Sequence, residues 1–187
     1  KRLVLAGGGH AHLDVLKTLA AGRWPGVEVV LVTPYPRQIY SGMVPGWMAG
    51  HYSLEQCAAA LVPLARAAGV RFVEAAVSAV DAGRREIRTD RGECLAYDVL
   101  SLAVGAGLDV SALAGGARLL PVRPLESFVA GWSELLASAP SGLRLAVVGG
   151  GAGGVELALA ARHRLQALGG GSVTLVAGGG LLPGHGA

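Results

Sequence analysis

Two glycine-rich turns contain the residues of this sequence that are best suited to chemistry. A complete Gly-x-Gly-x-x-Gly pattern begins at Gly149, and an incomplete copy begins at Gly7, with His12 in its third position. In such a turn the first glycine allows the tight bend, the second lets the pyrophosphate of a dinucleotide approach the backbone, and the third lets the helix pack on the strand. We therefore predict two dinucleotide-binding turns, which are formed by Gly7, Gly9, Gly149, Gly151 and Gly154.

Side chains beside the first turn offer further contacts to a bound phosphate. His10 and His12 flank the bend, where each could hydrogen-bond a ligand or pack locally. The backbone N–H groups of His10, Ala11 and His12 are stronger candidates than the two imidazoles, because they open a helix. Thr33 follows the second predicted strand and could contact a ribose hydroxyl, whereas Arg37 could reach the phosphates or simply be solvated.

Neither copy carries the acidic residue that commonly binds the ribose, about 20 positions after the turn. Thr33 occupies that place in the first copy, and Ala177 and Gly178 occupy it in the second. No arginine follows Arg164, so no obvious residue would hold a 2′-phosphate. The sequence does not choose between the two nicotinamide dinucleotides.

The elements around the turns repeat along the chain. An apolar strand at 3–6, a helix from His12 to the breakers Gly22 and Pro25, and a strand at 27–32 form one βαβ unit. A second unit follows the same order, with a strand at 143–148, a helix at 152–168 and a strand at 173–176. This repeat predicts an α/β Rossmann-like fold whose parallel sheet is covered by helices.

Between the two units the pattern is less regular. We predict an irregular segment at 33–51 and a helix that opens at the capping box of Ser53 and Gln56 and ends near residue 68. Pro63 should kink this helix or break one of its hydrogen bonds. A strand is predicted at 70–77 and an antiparallel β-meander after it, because the turn signals Asp81-Ala82-Gly83 and Asp90-Arg91-Gly92 follow closely. A strand at 99–104 ends at Gly105, and a helix spans 125–137.

Composition excludes several classes of protein. The chain has 187 residues with 52% hydrophobic and 16% charged residues, which argues against disorder. Its net charge of +3 is spread over scattered arginines, and a nucleic-acid-binding stripe is absent. Cys57 and Cys94 have no metal-ligand spacing, and no run of residues is apolar enough to predict a transmembrane segment. We expect a cytoplasmic protein that binds no nucleic acid, without a metal site.

The sequence resembles the flavoproteins with two dinucleotide-binding domains, the pyridine nucleotide-disulfide oxidoreductase superfamily. Within it, the resemblance is greatest to type II NADH dehydrogenase-like proteins and to the flavoprotein module that is fused to selenide, water dikinase. The motifs that carry it are GGGHAH at 7–12, YSGMVPG at 40–46, YDVLS at 97–101 and GGGAGGVE at 149–156. The resemblance covers essentially the whole chain.

The resemblance implies two cofactors, FAD on the first unit and NAD(P)H on the second. It places Gly105 beside the flavin, at the end of a strand that passes the cofactor, and Glu156 near the nicotinamide. Disulfide reductases of this superfamily carry a cysteine pair soon after the second strand, but residues 33–51 contain no cysteine. The implied activity is hydride transfer from NAD(P)H to flavin and electron transfer to a quinone or another acceptor. Tyr40, Met43 and Trp47 could line a flavin or quinone pocket, or fold onto their own domain.

The resemblance also suggests incomplete domains. We predict an FAD-binding domain at 1–120 without its C-terminal return segment, and a truncated second Rossmann unit at 121–187 that begins the NAD(P)H-binding domain. The whole protein would act as a dehydrogenase, with peripheral contact to the inner face of a membrane left open. The alternative is a non-catalytic flavin- or nucleotide-binding module that serves a fused partner, such as a selenophosphate-forming kinase.

Overall fold

The computed structural model describes residues 1–113, 118–138 and 142–182. The chain divides into two compact units. The first comprises Lys1–Gln38 and Ala58–Ala114, and the second comprises Ile39–Cys57 and Gly115–Ala187. The predicted assignment of an FAD domain at 1–120 and an NAD(P)H domain at 121–187 stays a prediction, since compactness does not identify a cofactor.

A four-stranded parallel sheet with the order β5-β2-β1-β9 forms the centre of the first unit. Its strands are β1 (Arg2–Ala6), β2 (Glu28–Thr33), β5 (Arg71–Glu74) and β9 (Val99–Leu102). The helices of this unit are α1 (His10–Ala21) and α3 (Leu61–Ala68). The predicted α/β Rossmann-like fold is confirmed here, because strands β1 and β2 are separated by helix α1 and lie side by side in parallel.

The central strands of this sheet are apolar except at their ends, because both of their faces are covered. Leu5 and Leu31 are buried on the face that carries α1 and α3. Val4 and Val30 are buried on the other face, against Ile87 of the meander. Both faces of β1 are therefore packed in a hydrophobic core, and this packing fixes the position of the turn that follows the strand.

The predicted antiparallel meander is confirmed as a three-stranded sheet. It consists of β6 (Val77–Asp81), β7 (Glu86–Thr89) and β8 (Cys94–Ala96), in that order. The strand predicted at 70–77 is wrong in extent, because β5 ends at Glu74 and Val77 already belongs to the meander. The side chain of Asp90 accepts the Ala76 N–H at 3.0 Å, which fixes the point where the chain leaves the parallel sheet.

The prediction for 33–68 is partly wrong. The segment expected to be irregular contains β3 (Arg37–Ile39) and helix α2 (Val44–Ala49), and the expected long helix is divided into a 3₁₀ turn (Glu55–Cys57), strand β4 (Ala58–Ala60) and α3. The capping box itself forms, since the N–H groups of Ser53 and Gln56 bond to each other's side chains. Pro63 does not kink a helix, because α3 begins two residues before it and a first-turn proline needs no N–H.

The second unit contains a parallel pair of strands, β10 (Leu143–Val148) and β11 (Gly171–Val176). Helix α5 (Ala152–Ala167) joins them and packs on both, and helix α2 packs on α5. Helix α4 (Leu125–Ser138) precedes them, as predicted to within one residue. Val148 and Val176, at the ends of the two strands, are exposed at 66% and 46%. The residues of the predicted unit after Leu182 lie outside the described part of the chain.

Candidate functional site

The turn after β1 accepts only glycine at its first position. Gly7 has a φ of +91°, in the left-handed region, and its N–H donates to the carbonyl of Val32 at 2.7 Å. A Cβ at this position would overlap the carbonyl oxygen of Ala103, which follows β9. Because that obstacle is backbone, no side-chain movement can relieve it. The bend is thus fixed by both conformation and close approach.

Gly9 forms the N-cap of α1 in an extended conformation, with φ −67° and ψ 170°. Its N–H donates to the Ala103 carbonyl at 3.2 Å, and a Cβ on it would lie 2.8 Å from that oxygen. Glycine has no side-chain acceptor for the N–H groups of the first helical turn, so an anion can take that place. The cradle of Gly7 and Gly9, which a side chain would fill, fits a dinucleotide pyrophosphate.

His12 occupies the position of the third glycine and is buried, with 1% of its surface exposed. Its Nδ1 lies 2.6 Å from the Gly7 carbonyl oxygen, and its Nε2 lies 2.9 Å from the Ser101 hydroxyl. The ring is therefore engaged inside the first unit and is not presented at the surface of the turn.

The remaining candidates of the first unit are His10, Ala11, Thr33 and Arg37. His10 and Ala11 are exposed in the first turn of α1, and His10 Nδ1 lies 3.5 Å from Gln38 Nε2. Thr33 is buried at the end of β2, and its hydroxyl would lie 3.3 Å from a Cβ on Gly8, in the turn. Arg37 is half-buried in β3. Their contact with a cofactor stays a prediction.

Gly105 follows β9 with a φ of +77°. A Cβ built on Gly105 would have no described atom within 4 Å apart from those of its chain neighbours. Glycine is therefore required at this position by the backbone conformation and not by crowding. The sequence analysis did not assign Ser101 or Ala103 to the first turn, where Ser101 bonds to the His12 ring and Ala103 accepts the Gly9 N–H. No local signal marks them, because the contacts exist only once β9 pairs with β1.

The turn after β10 repeats the geometry of the first. The Gly149 N–H donates to the Val176 carbonyl at 2.9 Å, and Gly149 has a φ of +132°. Gly151 is the N-cap of α5, with φ −77° and ψ 177°. A Cβ on Gly154 would overlap the Gly149 carbonyl oxygen, so the third glycine lets the helix approach the bend. This turn also fits a pyrophosphate.

Glu156 lies in the second turn of α5 and is exposed. At the end of β11, Ala177 packs on the turn, with its Cβ 2.7 Å from the Cβ that Gly150 lacks. The place that an acidic residue commonly fills is therefore occupied by a methyl group close to the glycine backbone.

The segment 39–57 belongs to the second unit. Val44, Met48 and Ala49 are buried, and α2, which contains them, packs on α5. Tyr40 is 51% exposed. For Tyr40, Met43 and Trp47 both alternatives, a ligand pocket and packing onto their own domain, stay predictions.

Both cysteines are free thiols. Cys57 is buried, and this burial raises the pKa of its thiol, whereas Cys94 is exposed. The described residues contain no cluster of three or more His, Cys, Asp or Glu side chains that could hold a metal ion. Among the described helices, none combines the length and the apolar character needed to cross a membrane.

Comparison with known proteins relates this geometry to flavoenzymes. The demethylphylloquinone reductase NdbB of Synechocystis sp. is 28% identical over 175 residues, which are 88% of this chain and 43% of the reductase. The NDH2 of Plasmodium falciparum, solved in complex with NADH, matches with a TM-score of 0.67 at 19% identity over 86% of this chain and 36% of its own. The sulfide:quinone oxidoreductase of Aquifex aeolicus matches with a TM-score of 0.65 at 18% identity over 95% of this chain and 43% of its own.

The chain thus spans less than half the length of these relatives. The predicted resemblance to type II NADH dehydrogenase-like proteins is confirmed, and so is the predicted pair of cofactors, because the enzymes of this family use FAD and NAD(P)H. Residues 1–184 match the family of pyridine nucleotide-disulphide oxidoreductases, and the chain belongs to that family.

Proposed function

We propose that the full-length protein passes a hydride from NAD(P)H to FAD and then electrons to a quinone or another acceptor. One observation carries this proposal: two glycine turns, each of which links the end of a parallel strand to the N-terminus of a helix. Two such turns in one chain suit an enzyme that holds two dinucleotides.

In this proposal the first turn holds FAD. Gly7 and Gly9 leave room for the pyrophosphate, and the N-terminus of α1 offers its partial positive charge to the phosphates. His10, Thr33 and Arg37 would contact the rest of the adenosine half. When it is bound, FAD supplies the ring that accepts a hydride, and the protein contributes binding and orientation.

The second turn would hold NAD(P)H in the same way. Gly149, Gly151 and Gly154 shape the bend, and Glu156 would face the nicotinamide. Since Ala177 and Gly178 follow β11, no acidic side chain or arginine there would select between NADH and NADPH. We assign no general acid or base.

A quinone is the acceptor that the comparisons favour. The curated relative is named a demethylphylloquinone reductase, and one structural neighbour is a sulfide:quinone oxidoreductase. We propose electron transfer without a redox-active disulfide, because the two thiols are free and 37 positions apart in the sequence. A location in the cytoplasm, with contact to the inner face of the membrane, is part of the same proposal.

A second candidate function is a flavin-binding module without turnover that serves a fused partner, such as a selenophosphate-forming kinase. The observation that favours it is the missing ribose-binding acid, which is replaced by Thr33 in the first unit and by Ala177 in the second. A nicotinamide dinucleotide held without that contact would bind more weakly.

Anaerobic addition of NADH to the full-length purified protein separates the two functions. We expect a yellow protein whose flavin absorbance is bleached by NADH or by NADPH, and restored by a soluble quinone. Bound flavin that neither nucleotide bleaches would exclude the dehydrogenase and favour the module. A full-length protein that holds no flavin would contradict both.

A further inference from the structure

His12 stands where a Rossmann turn has its third glycine, and it is one of three buried polar residues in the described parts of the chain. A buried imidazole destabilises a protein unless its nitrogens are hydrogen-bonded. Both are bonded here, Nδ1 to the Gly7 carbonyl oxygen at 2.6 Å and Nε2 to the Ser101 hydroxyl at 2.9 Å.

The partners define the direction of the two hydrogen bonds. A carbonyl oxygen only accepts, so Nδ1 carries the hydrogen and donates to Gly7. In the neutral ring Nε2 then accepts, and the Ser101 hydroxyl donates to it. The Gly7 carbonyl thus selects the tautomer of His12 in which Nδ1 is the donor, and the Ser101 hydroxyl holds the ring in that orientation by bonding to Nε2.

The hydrogen bond from His12 to the Gly7 carbonyl adds to the contacts that hold the turn in place. Gly7 donates through its N–H to Val32 on one side and accepts through its carbonyl from His12 on the other. Gly9 is bonded to Ala103. The peptide groups that enter the bend therefore have partners on β2, α1 and the end of β9.

The second turn shows what His12 replaces. There, Gly154 lies against the carbonyl oxygen of Gly149, which is the counterpart of the Gly7 carbonyl. The same oxygen of the first turn is contacted by the imidazole of His12. A hydrogen bond in the first turn thus takes the place of a close backbone contact in the second.

We propose that His12, oriented by Ser101, is a positioning residue that holds the Gly7 carbonyl and thereby the pyrophosphate-binding turn of the first unit. This inference rests on the proposed binding of FAD at that turn. The imidazole of His12, a residue that is only 1% exposed, acts through the backbone and not by contact with substrate.

The test compares the release of FAD from full-length variants. We expect His12→Ala to release flavin about tenfold faster than the wild type, because one hydrogen bond to the turn is lost. Ser101→Ala should accelerate release by about two- to fivefold, and the double variant should match His12→Ala alone, since Ser101 acts through His12. Added imidazole should slow the release from His12→Ala.

Thr89→Val is the matched control, because Thr89 is also buried in the first unit and its hydroxyl accepts the Glu93 N–H at 3.0 Å, away from the turn. It should lower the melting temperature without changing flavin release. Equal effects of His12→Ala and Thr89→Val on release would overturn the proposal, as would additive effects of His12→Ala and Ser101→Ala.

If His12→Ala does not fold, Ser101→Ala decides, and unchanged flavin release in that variant overturns the proposal. Failure of this inference is distinguishable from failure of the proposed function. Wild-type protein that holds no flavin contradicts both, whereas wild-type protein that holds flavin no more tightly than His12→Ala contradicts the positioning role alone.

Discussion

The turn after β1 and the turn after β10 share a backbone design but differ in their surroundings. In both, the first glycine has a positive φ and donates to the end of the next strand, and the second glycine caps the helix. The first turn is also crowded by the Ala103 carbonyl, which blocks a Cβ on Gly7 or Gly9. No described atom outside the chain neighbours comes within 4 Å of a Cβ on Gly149 or Gly151.

This difference shows that one motif needs its glycines for different physical reasons. In the first turn a third strand, β9, closes on the bend, and crowding adds to the conformational requirement. In the second turn conformation alone requires Gly149, whereas crowding appears at Gly150, from Ala177, and at Gly154, from the turn's own backbone. The third position of the glycine pattern also differs between the turns, since it holds a hydrogen-bonded histidine in the first unit and a glycine in the second.

The largest effect is expected where both requirements coincide. Gly7→Ala combines a positive φ with overlap of a backbone oxygen, and we expect it to cost more than about 4 kcal/mol of stability, in the exceptional range for one substitution. Gly149→Ala has only the conformational penalty, of about 1–3 kcal/mol. Chemical denaturation of the full-length variants measures both. An equal loss in the two variants would refute the role given to Ala103.

A second substitution makes the two turns alike in sequence. His12→Gly completes the glycine pattern of the first turn but removes the donor to Gly7 and leaves a cavity, with an expected loss of about 2–4 kcal/mol. Thermal unfolding of the full-length protein checks this value. A variant as stable as the wild type would mean that the glycine pattern alone determines the turn.

A third comparison uses neighbouring glycines of α5. Gly154→Ala should push the helix from the bend and weaken NADH binding about tenfold or more, because its Cβ would overlap Gly149. Gly153→Ala is the matched control, because a Cβ on Gly153 would crowd no described atom within 4 Å. Alanine also favours the helix by about 1 kcal/mol relative to glycine. Calorimetric titration with NADH measures both, and similar affinities in the two variants would argue against a nucleotide at this turn.

The smallest effect concerns the packing of segment 39–57 in the unit that contains the second turn. Burial raises the pKa of the Cys57 thiol, so less thiolate is present near pH 8, and the thiolate is the reactive form. Cys94 is exposed in the meander. Alkylation followed by mass spectrometry should modify Cys94 at least about ten times faster. Equal rates would show that this segment is not packed as described.

The sequence predicted the two βαβ units well because glycine punctuates them. Strands β1 and β10 end at glycine turns, and the helices after them run to glycine stop signals. The meander was predictable from its Asp-x-Gly turns. In contrast, the capping box of Ser53 and Gln56 predicted a long helix but closes only a 3₁₀ turn, because a local signal cannot report how far a helix continues.

Contacts between residues that are far apart in the chain could not be predicted from the sequence. The glycines of both turns were identified by their spacing, and the structure places them at bends as expected. Ser101, which is 89 residues from His12, and Ala103 were not identified as parts of the first turn. Their contacts depend on the pairing of β9 with β1, which no local pattern encodes.

The central claim is that flavin occupies the first turn and a nicotinamide dinucleotide the second. Anaerobic titration of full-length Gly154→Ala with NADH, beside Gly153→Ala, tests it most directly through the flavin absorbance. We expect both variants to retain bound flavin, with prompt bleaching in Gly153→Ala and bleaching at least about tenfold slower in Gly154→Ala at the same low NADH concentration. Loss of flavin from Gly154→Ala, or equal bleaching of the two variants, would contradict this assignment.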